Sequence, residues 1–392
     1  MKFTKTTLGE ISIGKGQYGI GASAVDYSEE LYTYLRISDI NDDGTLSMSD
    51  LKSVDDEKAE QYVLKPNDIV FARTGNSTGR NYFYDGTDGT FVYAGFLIKF
   101  SIDPNKVNPK YIKYYCLSDE YKGWVQGHST GSTRGNINAQ TYARMEIILP
   151  PREQQDKLVS ILEDLELKRK NNEAINRNLS EQTKALFEEE LLKFDSVPDG
   201  WKEGSLIDIA DYLNGLAMQK FRPSGDENEL PVLKIKELRQ GYCDANSELC
   251  SPNVKQEYII HDGDVIFSWS GSLLVDFWCG GECGLNQHLF KVTSKKYDKW
   301  FYYAWTLYHL DRFIAVAADK ATTMGHIKRE ELSKAEILIP DSDSYKRIGE
   351  VLGPLYDMII SNRVENRKLA ALRDELLPKL MSGEIDVSEV EL

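Results

Sequence analysis

The chain has 392 residues, long enough for two or three domains that each bury a core of their own. Hydrophobic residues make up 41% and charged residues 28%, which excludes a disordered chain, and no apolar run approaches the ~18 residues of a membrane span. The formal net charge of −15 speaks against a nucleic-acid partner only as an average. Residues 1–60 hold 6 Lys/Arg against 12 Asp/Glu, whereas residues 61–150 hold 10 against 7, and the local field governs contact with phosphates.

Taken in chain order, the start MKFTKTTLGEISIG lacks the apolar run of a signal peptide, which predicts a cytoplasmic protein. Residues 1–150 are rich in Gly, aromatic and β-branched residues. Short apolar runs at 68–71 and 96–100, set between turn-forming clusters, predict strands, and 109–117 predicts a helix. Residues 151–195 are rich in Glu, Lys, Leu and Asn with almost no Gly and predict one long helix. The same textures then recur: a mixed α/β globule over 196–340, with a helix at 300–308, and a second long helix over 341–392. Gly353-Pro354 is expected to interrupt that helix and Pro378 to end it, because proline removes a helical hydrogen bond and crowds the preceding turn.

The recurrence is a duplication. Tyr62-Val-Leu-Lys-Pro-Asn-Asp-Ile-Val-Phe-Ala-Arg-Thr-Gly75 aligns with Tyr258-Ile-Ile-His-Asp-Gly-Asp-Val-Ile-Phe-Ser-Trp-Ser-Gly271 at an offset of 196. Gly131–Ile137 aligns with Ala321–Ile327 at an offset of 190, as do the apolar runs 147–150 and 337–340. In the long helices Leu158, Leu165, Asn172, Leu179 and Leu186 recur every seven residues, as do Ile348, Leu355, Asn362, Leu369 and Leu376. Ile161, Leu162, Ile175, Val351, Leu352, Met358, Ile359 and Leu372 fill neighbouring slots. Two equivalent seams, each with one Asn, predict that the helices pair with each other. Asn172 and Asn362 are then candidate register keys, since a buried amide rejects registers that leave it unpaired. The expected fold class is mixed α/β (α+β): two similar globules joined by two long helices that pack on each other as a coiled coil.

Catalytic and metal motifs are missing. Gly9-Glu-Ile-Ser-Ile-Gly-Lys-Gly16 has Gly16 where a phosphate loop needs a hydroxyl, and too little chain precedes it for the required strand. Asn108-Pro-Lys-Tyr111 lacks the second proline of an adenine methyltransferase element and reads as a helix-opening turn. The five histidines form no paired-ligand spacing, and the five cysteines form neither a disulfide framework nor a zinc site.

A non-enzymatic chain with two similar globules held by paired helices predicts a reader of two half-sites on DNA. A straight helix over 151–193 spans about 64 Å, an upper bound on half-site separation. Residues 72–80 present Arg73, Asn76, Ser77, Thr78 and Arg80 on a glycine-permitted loop. Arg can bridge guanine O6/N7, Asn can bridge adenine N6/N7, and hydroxyls hold phosphates. The segment 128–138 repeats this chemistry with Ser129, Thr130, Ser132, Thr133, Arg134, Asn136 and Asn138. The second copy supplies Ser268, Trp269, Ser270 and Ser272, then Asn286, Gln287 and His288, then Lys320, Thr322, Thr323, His326 and Lys328. Such clusters also form plain turns; their equivalent location in both copies is what points to function.

At these residues the chain resembles the specificity (S) subunit of type I restriction–modification enzymes. The loops ARTGNSTGR and KATTMGHIKR, LNQHLFKV at 285–292, the LPPREQQ helix entry at 149–155 and the ending DELLPKLMSGEIDV at 374–387 carry the resemblance, which covers essentially the whole chain. It implies two target-recognition domains, each reading one half of a bipartite, asymmetric site on double-stranded DNA. It also implies a spacer of two helices packed as an antiparallel coiled coil, two docked DNA-adenine methyltransferase (M) subunits, and restriction (R) subunits that can join. S-adenosylmethionine, ATP and Mg2+ are implied for those partners and no cofactor for this chain. Pro198-Asp-Gly-Trp201 opens the second domain in the family's manner, whereas the first domain lacks that element. Trp269 in place of Arg73 means that the two domains cannot share one contact scheme. Three rivals stay open: an acidic two-headed protein–protein adaptor, the recognition subunit of a related multi-subunit restriction enzyme, and a nuclease or methyltransferase with unrecognised motifs.

Overall fold

The computed structural model describes residues 3–129, 135–225, 228–319 and 327–387. The chain divides into two compact units, Met1–Glu166 with Ala371–Leu392, and Leu167–Ala370.

The first unit opens with β1 (Thr4–Thr7), β2 (Gln17–Tyr18), β3 (Ala24–Asp26), β4 (Tyr32–Leu35) and β5 (Lys52–Val54). It continues through β6 (Asp68–Ala72), β7 (Asn81–Tyr84), β8 (Phe91–Tyr93) and β9 (Leu97–Ser101). Helices α1 (Pro109–Tyr115), α2 (Asp119–Ser129) and α3 (Ala139–Ala143) precede β10 (Glu146–Leu149), and the long α4 (Arg152–Phe187) follows Pro150-Pro151. The strands order as β2-β9-β6-β7 and β3-β5-β4-β8, while β10 pairs antiparallel with β1. The apolar run of β6 is buried along its whole length, as an interior strand requires. Asn108 does open a helix: its Oδ1 accepts from the Lys110 amide, with Pro109 in the first turn of α1. Residues 9–16, by contrast, form turns and a bridge, with no helix to carry a phosphate loop.

In the second unit α4 ends in a π turn over Glu188–Leu192. Then come β11 (Lys202–Ser205), α5 (Leu206–Ile209), β12 (Asp211–Asn214), β13 (Leu230–Leu233), α6 (Ile235–Gln240), β14 (Leu249–Cys250) and β15 (Ile259–Ile260). They are followed by β16 (Val265–Ser268), β17 (Leu274–Phe277), β18 (Cys283–Leu285), β19 (Leu289–Thr293), α7 (Lys299–Tyr308) and α8 (Leu310–Asp319). The unit closes with α9 (Glu330–Ser333), β20 (Glu336–Ile339) and α10 (Ser342–Ser382). Its sheet β12-β19-β16-β17 repeats β2-β9-β6-β7, and the parallel pair β13·β18 repeats β4·β8. β20 pairs with β11 as β10 does with β1.

The two long helices pair antiparallel. In the first unit Leu158, Val159 and Leu162 of α4 share one core with Leu377 and Leu380 of α10. In the second unit Asn172, only 1% exposed, donates through Nδ2 to Glu365 Oε2 (2.7 Å) and Asn366 Oδ1 (2.9 Å). Asn362 donates to Asn176 Oδ1 (2.8 Å). The two predicted keys thus lie in the interface but do not meet each other. Each pairs with an Asn four residues beyond the partner helix's key, and stepping forward on α4 is stepping back on α10.

Two expectations about the helices are corrected. α10 runs unbroken through Gly353-Pro354 and past Pro378, ending at Ser382 with Gly383 left-handed (φ +76). Packing holds the turn that proline weakens: Leu352, Tyr356 and Ile359 are buried in one core with Trp300. Gly349 lets the helix approach that core, because a Cβ there would stand 2.9 Å from the indole Nε1 of Trp300. Second, Ile175, Val351, Met358 and Leu372 are exposed and lie outside the seam; the tracks that pack are those of Leu162 with Leu380, and Ile348, Leu352 and Ile359.

Candidate nucleic-acid interface

The same backbone frame is built twice. The loop after β6 and the loop after β16 each join two antiparallel strands, with Phe71 opposite Asn81 and Ser268 opposite Leu274. Gly75 (φ +73) and Gly271 (φ +65) take the left-handed conformation at equivalent points. A second turn lies alongside, closed by Leu97 N to Ala94 O (2.8 Å) in one unit and Leu289 N to Asn286 O (3.0 Å) in the other. A third segment docks on the loop, with Ile137 N donating to Arg73 O (2.9 Å) and Ile327 N to Trp269 O (3.1 Å). The strand ends at Gly19 and Gly215 come so close to the second turn that a Cβ would lie 2.3 Å from Ala94 O and 2.2 Å from Asn286 O. Only glycine fits either place without displacing backbone.

On this common frame the side chains differ. The Arg73 guanidinium lies over the Tyr18 ring, 5.0 Å from its centroid, and its buried Nε has no hydrogen-bond partner among the described residues. Tyr18 is held in turn by the Ala139 amide, which donates to its hydroxyl (3.2 Å). In the second unit the Trp269 indole donates to Asn214 Oδ1 (3.0 Å) and stacks on Phe290. Asn214 ends β12 as Tyr18 ends β2. Each variable residue therefore leans on the residue at one equivalent strand end. Ser270 Oγ lies 3.2 Å from Nδ1 of His288, bringing the loop and the second turn together.

The other sequence-predicted residues fall into two groups. Asn76, Asn136, Ser272, His288 and Lys328 are exposed, and Ser77 and Gln287 are half-buried. Thr78, Arg80, Ser268 and Asn286 are instead half-buried or buried and occupied within the fold, and exposed Asn138 is engaged as a helix cap. Thr78 Oγ1 donates to Gly75 O (2.7 Å) and Gly135 O (3.1 Å), fastening the loop to the third segment. Arg80 pairs with Asp42 (2.7 Å) and donates to Ile40 O (3.1 Å). Asn138 caps α3, Ser268 donates to Ser272 O (2.9 Å), and Asn286 Oδ1 accepts from the His288 amide (3.3 Å). Ser129 closes α2; its side chain, like Thr130, Ser132, Thr133, Arg134, Lys320, Thr322, Thr323 and His326, lies outside the described residues. Sequence reasoning missed Tyr18, Phe96 and Asn214. Extending the duplication was the available signal, because Tyr18-Gly19 matches Asn214-Gly215 at the offset of 196.

Among the described residues no group of three or more His, Cys, Asp or Glu could hold a metal ion. Among the described residues no helix is long and apolar enough to cross a membrane. The five cysteines are free thiols, four of them buried.

Two copies of one loop frame with different side chains, carried by paired helices, define a duplicated sequence-recognition protein. The family model described as the type I restriction modification DNA specificity domain matches twice, over residues 2–181 and 198–371. The chain belongs to this family and is a non-catalytic DNA-specificity subunit. It is 26% identical to the MjaIX specificity subunit of Methanocaldococcus jannaschii over 74% of this chain and 72% of that protein. It is 18% identical to the HindI specificity subunit of Haemophilus influenzae over 82% of this chain and 87% of that one. The crystal structure of the type I S subunit from M. genitalium shares the fold, with a TM-score of 0.58 at 15% identity, covering 97% of this chain and 96% of that chain.

Proposed function

We propose that each globule reads one half of a bipartite, asymmetric site on double-stranded DNA, with the paired helices setting the unread gap. One observation carries this reading: the same hydrogen-bonded loop frame presents Arg73 over Tyr18 in one unit and Trp269 on Asn214 in the other. A shared frame supports a shared task, and unlike side chains support unlike bases. Arg73, Asn76, Ser77 and Asn136 are the first unit's base- and phosphate-contacting candidates, and Trp269, Ser272, Gln287, His288 and Lys328 the second's, with buried Ser270 positioning His288. The residues occupied within the fold, Thr78, Arg80, Asn138, Ser268 and Asn286, set the loops' shape.

Two adenine methyltransferase subunits dock on this assembly in the cytoplasm, and restriction subunits join them. Exposed apolar residues on the long helices, Ile175, Val351 and Met358, support docking by apolar contact. S-adenosylmethionine belongs to the methyltransferase subunits, ATP and Mg2+ to the restriction subunits, and this chain binds none of them.

Co-expression with an adenine methyltransferase subunit from the same genome, followed by mapping of methylated adenines, tests the reading. The expected result is a split motif with two unlike halves. A continuous motif, or methylation that does not depend on this chain, contradicts it.

A further inference from the structure

We propose that Phe96 is a specificity-determining residue of the first globule, packing on the C5-methyl group of a thymine next to the base read by Arg73. The proposal rests on the DNA-reading function above and adds a residue and a base feature to it.

Phe96 is 59% exposed, the most exposed aromatic side chain among the described residues, although Ala94 and Leu97 on either side of its turn are buried. Isolated exposed apolar residues are common, so exposure alone decides nothing. Its position does. The Phe96 carbonyl accepts from the Arg73 amide (3.0 Å), so its backbone is fastened to the residue whose guanidinium lies over Tyr18. The equivalent place in the second globule is filled by His288, which likewise directly precedes the first residue of its strand, Leu289 matching Leu97. His288 is also exposed, 6.1 Å ring to ring from Trp269, the counterpart of Arg73. Both globules therefore place a ring-bearing residue at the turn that flanks the reading loop.

The two rings differ in what they can recognise. Imidazole has a nitrogen donor and acceptor, whereas phenyl has neither. On the base edges of the major groove, where an Arg reads guanine O6 and N7, the apolar feature open to phenyl is the thymine methyl. Phe96 at this place thus favours thymine, and His288 favours a base offering a hydrogen-bond partner.

The test uses the chain assembled with its methyltransferase subunits and duplexes carrying the mapped motif. Each thymine of the first half, on either strand, is replaced in turn by deoxyuridine, which lacks only the C5-methyl group. One replacement is expected to weaken binding by the unmodified protein about three- to tenfold, while Phe96→Ala binds thymine and deoxyuridine duplexes equally. Phe96→Ala keeps the second half of the motif and the position that depends on Arg73. Phe96→His is expected to move the preference at that position away from thymine. Unmodified protein that binds every deoxyuridine duplex as well as the parent overturns the proposal, as does a first half with no thymine or an unchanged motif in Phe96→Ala. The deoxyuridine series on the unmodified protein decides even if a variant fails to fold. Failure of the DNA-reading function itself looks different: the unmodified protein then gives no split motif at all.

Discussion

Arg73 and Trp269 stand at one point of a repeated backbone frame, yet they cannot make the same contact. A guanidinium offers a planar fork of donors, and an indole offers one donor and a broad apolar face. Replacing Arg73 by Ala is expected to cost about 1–3 kcal/mol of discrimination at one base of the first half-site and to leave the second unchanged. Competition binding with single-base variants of the site checks this; a loss spread evenly over all sequences marks a phosphate contact instead. Gly19→Ala and Gly215→Ala are each expected to destabilise the protein by about 1–3 kcal/mol, because the added Cβ meets a backbone carbonyl oxygen that has nowhere to go. Thermal unfolding measures the cost, and each variant degrades its own half of the motif. At this scale the sequence was readable where the duplication aligned, which is why Arg73 and Trp269 stood out. It was opaque about direction. Ser268 and Thr78 look like solvent-facing loop residues, but their hydroxyls turn inward onto carbonyls of their own loops. The duplication marks Tyr18 and Asn214 as equivalent, but not what they support, because each lies 55 residues from the side chain it holds.

At the scale of the element, the heptad count found the seam and half of its polar lock. It followed one track, to Asn172 and Asn362; the partners Asn366 and Asn176 sit on the other track, four residues on. Asn172→Leu alone is expected to destabilise the pair by about 1–2 kcal/mol, since it leaves Asn366 Oδ1 without that donor. Asn172→Leu with Asn366→Leu restores stability but loosens register, to be seen as mixed gap lengths in the methylated motif or as new oligomers. The continuity of α10 was not readable, because Pro354 is tolerated only through core packing against Trp300 that local sequence does not display.

His309, at the end of α7, makes a separate prediction. It is buried, with Nε2 2.9 Å from Glu336 O, and burial pushes its pKa below the ordinary histidine value. A base whose folded-state pKa is depressed contributes stability that is fully present above its unfolded value, about 6.5, and lost as pH falls through the folded value. Melting temperature is therefore expected to drop below about pH 6.5, and His309→Gln flattens that part of the profile.

For the whole molecule, net charge is the weakest guide and duplication the strongest. The −15 average says nothing of the loops, whereas the order of repeated blocks predicted a repeated sheet topology that the strands display. What the linear pattern could not supply is how each globule is tied to its helix. In the first unit Lys113 pairs with Glu166 of α4 (2.5 Å), and in the second Arg367 of α10 grips Asp262 with two bonds (2.7 and 2.8 Å). These ties fix each globule to its own stretch of helix.

The most direct test inserts one heptad into α4 after Glu166 and a matching heptad into α10 after Ala370, where both helices pass from one compact unit to the other. The seven added residues lengthen each helix by about 10.5 Å and shift the seam by only about 20°. If the helices set the gap, the methylated motif keeps both halves and its unread gap grows by up to about three base pairs. An unchanged gap between the same two halves would contradict the role given to the helices.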